Sequence, residues 1–310
     1  MKTAVVTGAF GFAGANLVEY LLSKDIKVYA VGRKHTSSAD AGEKTVRNTH
    51  NERFSDVPEE KMVKVFLEMS EYDRLPEYID EKVDLFFHLA WGGGREDFAA
   101  QYANIEGSLK ALEAAAQIGR DICFVGIGSQ AEYGVKSDKE PITEDMLPEP
   151  FSAYGACKAA AFYLLKNRAQ QLGVRFVWGR IFSLIGKYEP SGRMLPDLVL
   201  KLRNGQEVNL SSCEQYWDYM DAADAAKAIY LLGEKGISGE AYNIAKGDSK
   251  PLSEFVYEAA DHLGADRALI HMNQRVSPFV SIRPSVEKLK SHTGWEEEIS
   301  FCESIDKYLQ

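Results

Sequence analysis

A glycine-rich turn between the first apolar strand and the first helical segment is the feature that most constrains this chain. Residues 7–14, TGAFGFAG, place three glycines three residues apart. A tight strand-to-helix turn, a backbone that touches a pyrophosphate and close helix–strand packing each favour a residue without a Cβ atom. A helix that begins at this turn would direct its free amides and positive dipole end at the phosphates. The turn therefore predicts that a dinucleotide binds at Gly8, Phe10, Gly11, Phe12 and Gly14.

Three glycines in eight residues also occur in ordinary loops, so the interpretation depends on the surrounding elements. Apolar strands are predicted at 4–7, 27–31, 63–67, 83–89, 122–127 and 174–181, and helices at 16–24, 72–79, 105–116 and 156–172. This alternation is typical of βαβ units that build a buried parallel sheet. It predicts an α/β fold with a doubly wound parallel-sheet Rossmann domain over residues 1–182.

Beyond residue 182 the alternation loosens, and glycines and prolines interrupt the segment 186–196. This change predicts a smaller C-terminal α/β substrate lobe over residues 183–310, from which the chain can cross back to the main domain. In that lobe we expect helices at 194–202, 222–232 and 252–263 and strands at 207–210 and 241–244. The polar stretch 34–59 is expected to be a solvated loop beside the cofactor site.

Net charge, the length of apolar runs and cysteine spacing argue in turn against nucleic acid, a membrane and a metal ion as partners. The chain has 36 Lys and Arg against 46 Asp and Glu, a formal net charge of −10, which disfavours binding to nucleic acid. No apolar run approaches the roughly 20 residues of a membrane span, so we expect neither a membrane anchor nor a signal peptide. The four cysteines form no metal-ligand pattern, which predicts reduced thiols in a cytoplasmic protein without a metal site: Cys123, Cys157, Cys213 and Cys302.

The end of the second predicted strand discriminates between the two nicotinamide dinucleotides. A carboxylate there would bind the ribose 2′-hydroxyl of NAD, whereas an arginine accommodates the 2′-phosphate of NADP. This chain has Gly32, Arg33 and Lys34 at that point and no carboxylate. The pattern favours NADP held by Arg33, with help from Lys34. NAD remains the alternative, in which Arg33 is a solvated loop residue.

A phenol and an ammonium four residues apart predict an acid–base site. Tyr154 and Lys158 lie at the start of a predicted helix, on one of its faces. A phenol with a pKa of about 10 needs a nearby cation to work at neutral pH, and Lys158 can supply it and also bind the nicotinamide ribose. Ser129 follows the strand at 122–127, where active-site groups of a parallel sheet cluster, and can orient the substrate oxygen. Because Y-x-x-x-K is common by chance, a half-buried packing role for Tyr154 is the competing interpretation.

Taken together, these motifs resemble those of the extended short-chain dehydrogenases/reductases, in the NAD(P)-dependent nucleotide-sugar epimerase/dehydratase family. The resemblance extends over nearly the whole chain and is specific as a combination, although each motif alone is not. The matching segments are the glycine turn 8–14, His88-Leu89-Ala90, Asn104, the run 128–134 (GSQAEYG), Tyr154-x-x-x-Lys158, the run 180–183 (RIFS), the run 218–224 (DYMDAAD), and Gly294-Trp295.

The resemblance implies roles for individual residues. Ser129, Tyr154 and Lys158 match the family's catalytic triad, and Glu68 stands where an acidic residue usually meets the adenine, followed by a less typical Met69. The complete set of predicted cofactor-binding residues is Gly8, Phe10, Gly11, Phe12, Gly14, Arg33, Glu68, Met69, Leu89, Ala90, Trp91, Asn104, Tyr154, Lys158 and Phe182.

Substrate binding departs from the family pattern. Trp217 stands where many members carry an arginine that binds the phosphates of a nucleotide sugar, and Ser183 replaces a frequent asparagine. Arg193 and Arg283 are candidates for the missing positive charge, and Trp91 and Gln130 complete the predicted substrate-binding set.

The resemblance also implies a homodimer formed through helices beside the active site. The face of the predicted helix that would take part is Ala159, Phe162, Tyr163 and Lys166. The same spacing equally fits packing of this helix on its own sheet.

The residues after Ser129 separate the possible reactions. Dehydratases of the family typically carry an Asp-Glu pair there, but this chain has Gln130 and Ala131, which disfavours elimination of water. The run 128–134, together with residues 88–91 (HLAW), is similar to reductases acting on nucleotide-linked 4-keto-6-deoxyhexoses, and Arg33 suits NADP. The resemblance therefore implies an NADP-dependent 4-ketoreductase of such a sugar. A nucleotide-sugar 4-epimerase with bound NAD is the first alternative. A non-catalytic NAD(P)-sensing protein is the second, although such proteins are expected to lose Tyr154 or Lys158.

Overall fold

The computed structural model describes residues 2–34, 53–119, 121–137, 139–276 and 280–310. Most of the predicted polar loop at 34–59 lies outside these residues. Within them, no helix is both long enough and apolar enough to span a bilayer.

Seven parallel strands form the central sheet, and the fold prediction is confirmed. Their spatial order is β11-β6-β5-β4-β1-β2-β3, with β1 near the middle. All five residues of β1 are buried, as expected where helices cover both faces of a parallel sheet. The strands are β1 (Thr3–Thr7), β2 (Lys27–Gly32), β3 (Met62–Phe66), β4 (Leu85–His88), β5 (Cys123–Ser129), β6 (Arg175–Ile181) and β11 (Ala241–Ile244).

The α-helices of the described residues cover this sheet and build the smaller lobe. They are α1 (Phe12–Ser23), α2 (Phe98–Ile118), α3 (Ala153–Leu172), α4 (Met194–Arg203), α5 (Ala222–Lys235), α6 (Leu252–His262), α7 (Glu287–Thr293) and α8 (Phe301–Leu309). Apolar residues of α1 and α5 share one core cluster with the sheet, and those of α2 and α3 share a second. The predicted helix at 72–79 is instead a 3₁₀ segment, Met69–Glu77, that contains Pro76.

Short strands and three helices build the smaller lobe. The strands pair as β7 (Ser183–Ile185) with β10 (Tyr219–Asp221), β8 (Val208–Asn209) with β13 (Ile270–His271), and β9 (Tyr216–Trp217) with β12 (Lys250–Pro251). Apolar residues from α4, α6 and α8 share a core with them, including Leu198, Phe255 and Ile305. The predicted boundary at residue 182 stays a prediction.

Two elements that we expected in the smaller lobe belong to the main domain, and that part of the prediction was wrong. Strand β11 pairs in parallel with β6 at the edge of the central sheet. Helix α5 packs against α1 on the face of that sheet. All four residues of β11 are buried, and the alanine-rich face of α5 lies in the main core. The chain therefore returns to the Rossmann domain after a first excursion.

Candidate active site

The glycine turn has the geometry that a bound pyrophosphate requires. Gly8 has a φ of +71°, a left-handed conformation that side chains rarely adopt, and a Cβ atom there would lie 2.8 Å from the backbone nitrogen of Ala90. A Cβ atom on Gly14 would overlap the carbonyl oxygen of Gly8. No side chain caps the N-terminus of α1 at Gly11. The residues present therefore fit a dinucleotide whose phosphates meet the amides of this helix.

The predicted adenine end of the site is built by residues after β2 and β3. Arg33 and Glu68 are both exposed there. Glu68 is also the N-cap residue of the 3₁₀ segment that begins at Met69. Its backbone N–H donates to the Glu71 carboxylate at 3.1 Å. The Phe10 ring, expected to meet the cofactor, is only 4% exposed and stacks on Phe66 at 5.9 Å.

A hydrogen-bonded loop follows β4 and borders the cleft. Asn104 on α2 holds Gly92 at both ends, accepting its N–H at 3.0 Å and donating to its carbonyl at 2.9 Å. Trp91 donates its indole N–H to Gln101 at 2.7 Å. Asn104, which we predicted to contact the cofactor, thus also fixes the loop that carries Leu89, Ala90 and Trp91.

His88, the last residue of β4, is a fully buried structural group. Its two ring nitrogens lie 2.8 Å from the hydroxyls of Thr7 and Ser108. Burial lowers the pKa of His88 to about 3, so the ring is neutral. Its hydrogen bond with Thr7 links the carboxyl ends of β1 and β4 next to the glycine turn.

The structure brings together Ser129, Tyr154 and Lys158 at the carboxyl edge of the sheet. Ser129 ends β5, and its hydroxyl accepts the backbone N–H of Ala131 at 3.2 Å and hydrogen-bonds the Tyr154 phenol. Tyr154 lies in the first turn of α3, which Ser152 caps. Burial raises the pKa of Tyr154, whereas the bond to Ser129 lowers it. A substrate oxygen held between these two hydroxyls stays a prediction, with which their arrangement is compatible.

Lys158 of α3 is buried, and its ammonium reaches strand β5. It is 3% exposed, its Nζ donates to the carbonyl of Ile127 at 2.5 Å, and the same atom lies 3.8 Å from the centre of a Trp91 ring. Burial lowers the pKa of Lys158 to about 7. The charges of Arg95 and Arg193 lower the pKa of Tyr154. The role that we expected for Lys158 towards the phenol stays a prediction.

A buried ion pair between Glu132 and Arg180 is hydrogen-bonded to the backbone of Ser129. Glu132 is fully buried and accepts hydrogen bonds from the Ser129 backbone N–H at 2.9 Å, from Trp178 at 3.0 Å and from Arg180 at 2.8 Å. Arg180 also donates to the Tyr133 hydroxyl at 2.9 Å. The only sign of this network in the sequence was that Glu132 and Arg180 fall in two family motifs.

Apart from Trp91 in the loop after β4, the predicted substrate-binding residues lie on the smaller lobe or follow Ser129. Arg193 lies 6.0 Å from the Phe12 ring, and its charge reaches Tyr154, so it borders the catalytic cleft. Trp217 packs on Tyr219 at 6.4 Å between ring centres and has a buried indole N–H without a partner among the described residues. Arg283 lies over the Tyr216 ring at 4.9 Å.

The remaining members of the predicted site border the serine. Gln130 begins the short 3₁₀ turn after Ser129 and is partly exposed. Phe182, which we predicted to contact the cofactor, packs on Tyr133 with 6.2 Å between ring centres.

Glu189 is a residue of this region that the sequence did not single out. Its side chain is 3% exposed, and Oε1 lies 3.7 Å from the Arg193 guanidinium. The other carboxylate oxygen has no partner in the described structure. Burial raises the pKa of Glu189 to about 7, and the charge of Arg193 opposes this effect. No family motif includes this position, so only the folded structure reveals the buried carboxyl.

The fold and this cleft define a nicotinamide-dependent enzyme of the extended short-chain dehydrogenase/reductase type. The sequence model of the NAD dependent epimerase/dehydratase family matches residues 4–245, and the chain belongs to that family. The probable dTDP-glucose 4,6-dehydratase of Sinorhizobium fredii is 23% identical, over 99% of this chain and 91% of its own length.

Two solved structures share the fold over the whole chain. The dTDP-glucose 4,6-dehydratase of Bacillus anthracis in complex with NAD has a TM-score of 0.85 at 22% identity, covering 100% of this chain and 96% of that one. The protein RMD of Pseudomonas aeruginosa in complex with NADPH has a TM-score of 0.79 at 23% identity, covering 99% and 97%.

Proposed function

We propose that this enzyme is an NADP-dependent 4-ketoreductase of a nucleotide-linked 4-keto-6-deoxyhexose, with Ser129, Tyr154 and Lys158 as its catalytic residues. The observation that carries the proposal is the environment of Ser129. The acidic side chain that follows it, Glu132, is buried and bonded to the backbone N–H of Ser129 itself, to Trp178 and to Arg180. Gln130 and Ala131 offer no carboxylate. Elimination of water therefore lacks its acid and base, whereas proton transfer by Tyr154 keeps its partners.

The chain's own residues would carry out the proton chemistry of the reduction. When bound, the nicotinamide would supply the hydride that adds to the carbonyl carbon. Ser129 and Tyr154 hold the carbonyl oxygen, and Tyr154 Oη donates the proton as the alcohol forms. Lys158 would bind the nicotinamide ribose from its place beside Ile127. Arg193, 6.0 Å from the Phe12 ring at the cofactor turn, would meet the nucleotide phosphates, with Trp91, Gln130, Trp217 and Arg283 around the rest of the substrate.

A pair of assays tests the reaction. Purified protein is given NADPH with dTDP-, GDP-, UDP- and CDP-linked 4-keto-6-deoxyhexoses, and loss of the reduced-nicotinamide absorbance is followed. The same protein without added cofactor is given UDP-hexoses, and epimer interconversion is followed by chromatography. Oxidation of NADPH with at least one keto sugar is the expected result. Interconversion of epimers without NADPH oxidation would establish the 4-epimerase alternative, which the membership in an epimerase/dehydratase family favours.

The preference for NADP depends on the residues after β2. The same fold holds NADPH in the Pseudomonas aeruginosa protein and NAD in the Bacillus anthracis protein, so the overall architecture permits both. In this chain the exposed Arg33 follows Gly32, and neither Arg33 nor Lys34 is a carboxylate that could bind a 2′-hydroxyl. Arg33 thus supports a site for the 2′-phosphate.

Replacing Arg33 by Ala is expected to weaken NADPH binding and to spare NADH. Loss of one charge-assisted contact to the 2′-phosphate corresponds to about 1.5–3 kcal/mol, or roughly a 10- to 100-fold higher Kd. Calorimetric titration of both cofactors measures the effect, and Arg275→Ala, an exposed arginine of the smaller lobe, is the control. Equal losses for NADPH and NADH in Arg33→Ala would contradict NADP selection at this position.

We propose that two copies associate through α2 and α3, as the resemblance implied. Phe98 and Tyr102 on α2 stack on each other while 65% and 61% exposed, and Tyr163 on α3 is 54% exposed. Phe162 of the predicted face instead packs in the core against Trp178. Light scattering should give twice the chain mass of 34.5 kDa. Tyr102→Glu should give a monomer and the control Tyr78→Glu a dimer, and a monomeric wild-type protein would contradict the proposal.

We also propose a cytoplasmic location for the enzyme. The four cysteines are free thiols in the structure, as expected of a protein in a reducing compartment. Fractionation of the source cells would test this proposal.

A further inference from the structure

Arg95 contacts the catalytic tyrosine in two independent ways. It lies in the loop between β4 and α2, and its guanidinium carbon is 4.6 Å from the centre of the Tyr154 ring. At that distance a cation is attracted by the face of an aromatic ring. Its carbonyl oxygen also accepts the backbone N–H of Tyr154 at 2.9 Å. The loop is therefore fastened to the first turn of α3 at the catalytic residue itself.

Trp91, from the same loop, contacts the Tyr154 ring as well. The Trp91 and Tyr154 rings are 6.5 Å apart and nearly perpendicular. Trp91 is itself held by Gln101, which also donates to the carbonyls of Gly92 and Gly94. The loop is rich in glycine, and Gly93 has a φ of +85°. The hydrogen bonds of Gln101 nevertheless fix the loop, so that it can hold the Tyr154 ring in place.

Charged groups act on the Tyr154 phenol from three segments besides its own helix: Glu132 follows β5, Arg193 precedes α4, and Arg95 lies in the loop after β4. On the helix itself, Lys158 lies one turn beyond Tyr154. Arg95, from the loop after β4, lowers the pKa of the phenol more than Arg193 does, and Glu132 raises it. The ammonium of Lys158 is bonded to Ile127 and lies on Trp91.

We propose that Arg95 is a positioning residue that holds the Tyr154 ring and adds a second cation beside it, in addition to Lys158. The spacing of Tyr154 and Lys158 already predicted a cation near the phenol, and Arg95 would add to it. A guanidinium keeps its charge at every pH at which the enzyme works, whereas burial lowers the pKa of the Lys158 ammonium to about 7. The inference rests on the proposed function only in assigning the proton transfer to Tyr154.

A spectroscopic titration tests Arg95 without any substrate. The phenolate absorbance of Tyr154 is obtained as the difference between wild type and Tyr154→Phe over a pH series. The same difference is measured between Arg95→Gln and the Arg95→Gln/Tyr154→Phe double variant. Removing the cation should shift the Tyr154 midpoint upward by about 0.5–1 pH unit, less than for a buried pair because Arg95 is solvent-exposed. An unchanged midpoint would overturn the proposal.

Two further variants separate charge from general damage. Arg95→Lys keeps a cation but lacks the planar guanidinium, and it should recover more than half of the shift. Arg203→Gln removes an exposed arginine from the end of α4 and should leave the midpoint unchanged. A thermal melt of each protein shows whether it is folded. A midpoint in Arg95→Lys as high as in Arg95→Gln would contradict the electrostatic part of the proposal.

The pH–rate profile connects this inference to catalysis. In the reductive direction Tyr154 must be protonated, so kcat falls as the pH rises through its pKa. A higher pKa in Arg95→Gln should therefore move the basic limb of the profile upward by the same interval as the titration. A shifted titration in a protein that reduces no keto sugar would reject the proposed reaction and keep Arg95 in its role. An enzyme that reduces a keto sugar but shows the same Tyr154 midpoint in Arg95→Gln would keep the proposed reaction and reject the role of Arg95.

Discussion

Replacing Tyr154 by Phe is expected to reduce kcat by ~10²–10⁴-fold, the range that a positioned acid–base group contributes. The change removes the hydroxyl that hydrogen-bonds Ser129 and would donate the proton to the carbonyl oxygen. The ring itself should stay in place, because Trp91 and Arg95 contact its face and edge rather than the hydroxyl. Steady-state kinetics with the keto sugar identified in the substrate assay, together with calorimetric titration of NADPH, measures the two quantities separately.

Cofactor affinity in Tyr154→Phe should remain within about threefold of wild type, since the main phosphate contacts would come from the glycine turn and α1. The control is Tyr163→Phe on the same helix, whose side chain is 54% exposed and lies outside the cleft. That variant should retain the wild-type kcat. A Tyr154→Phe enzyme that keeps more than a third of the wild-type kcat would remove Tyr154 from the mechanism. A wild-type protein that binds NADPH but turns over no nucleotide sugar would instead support the sensor alternative.

The parts of the site that could be predicted from the sequence are local in the chain. The glycine turn follows from residues 7–14 alone, and the placement of Tyr154 and Lys158 one turn apart on one helix follows from their spacing. Both depend on backbone conformation within a few residues. The parallel sheet was equally predictable, because a buried strand shows a continuous apolar run wherever it pairs.

Contacts between distant segments could not be predicted in this way. Arg95 comes from the loop after β4 and Tyr154 from the first turn of α3, and nothing in either segment indicates that one stacks on the other. Glu132 and Arg180 are 48 residues apart and meet only after β5 and β6 have paired. Hydrophobic periodicity predicted that β11 is a strand and α5 a helix, but not the domain in which each packs. An apolar strand can pair at the edge of a sheet in either domain.

Replacing Glu132 by Gln is expected to lower the free energy of unfolding by about 3–5 kcal/mol, as when one partner of a buried ion pair is removed. The carboxylate accepts from three donors, and Arg180 is only 2% exposed. A glutamine of the same shape turns an amide N–H₂ towards one of those donors and leaves the guanidinium charge unpaired. Urea unfolding measures the loss.

A surface pair provides the matched control for Glu132→Gln. Glu149, whose side chain is 68% exposed, pairs with Lys136, so Glu149→Gln should change stability by at most about 1 kcal/mol. The double variant Glu132→Leu/Arg180→Met removes both charges and should recover much of the stability lost by the single change. Its activity should still fall, because the Ser129 N–H loses its acceptor and the serine hydroxyl is no longer held against Tyr154. If both the single and the double variant are as stable as wild type, the ion pair does not support the active site.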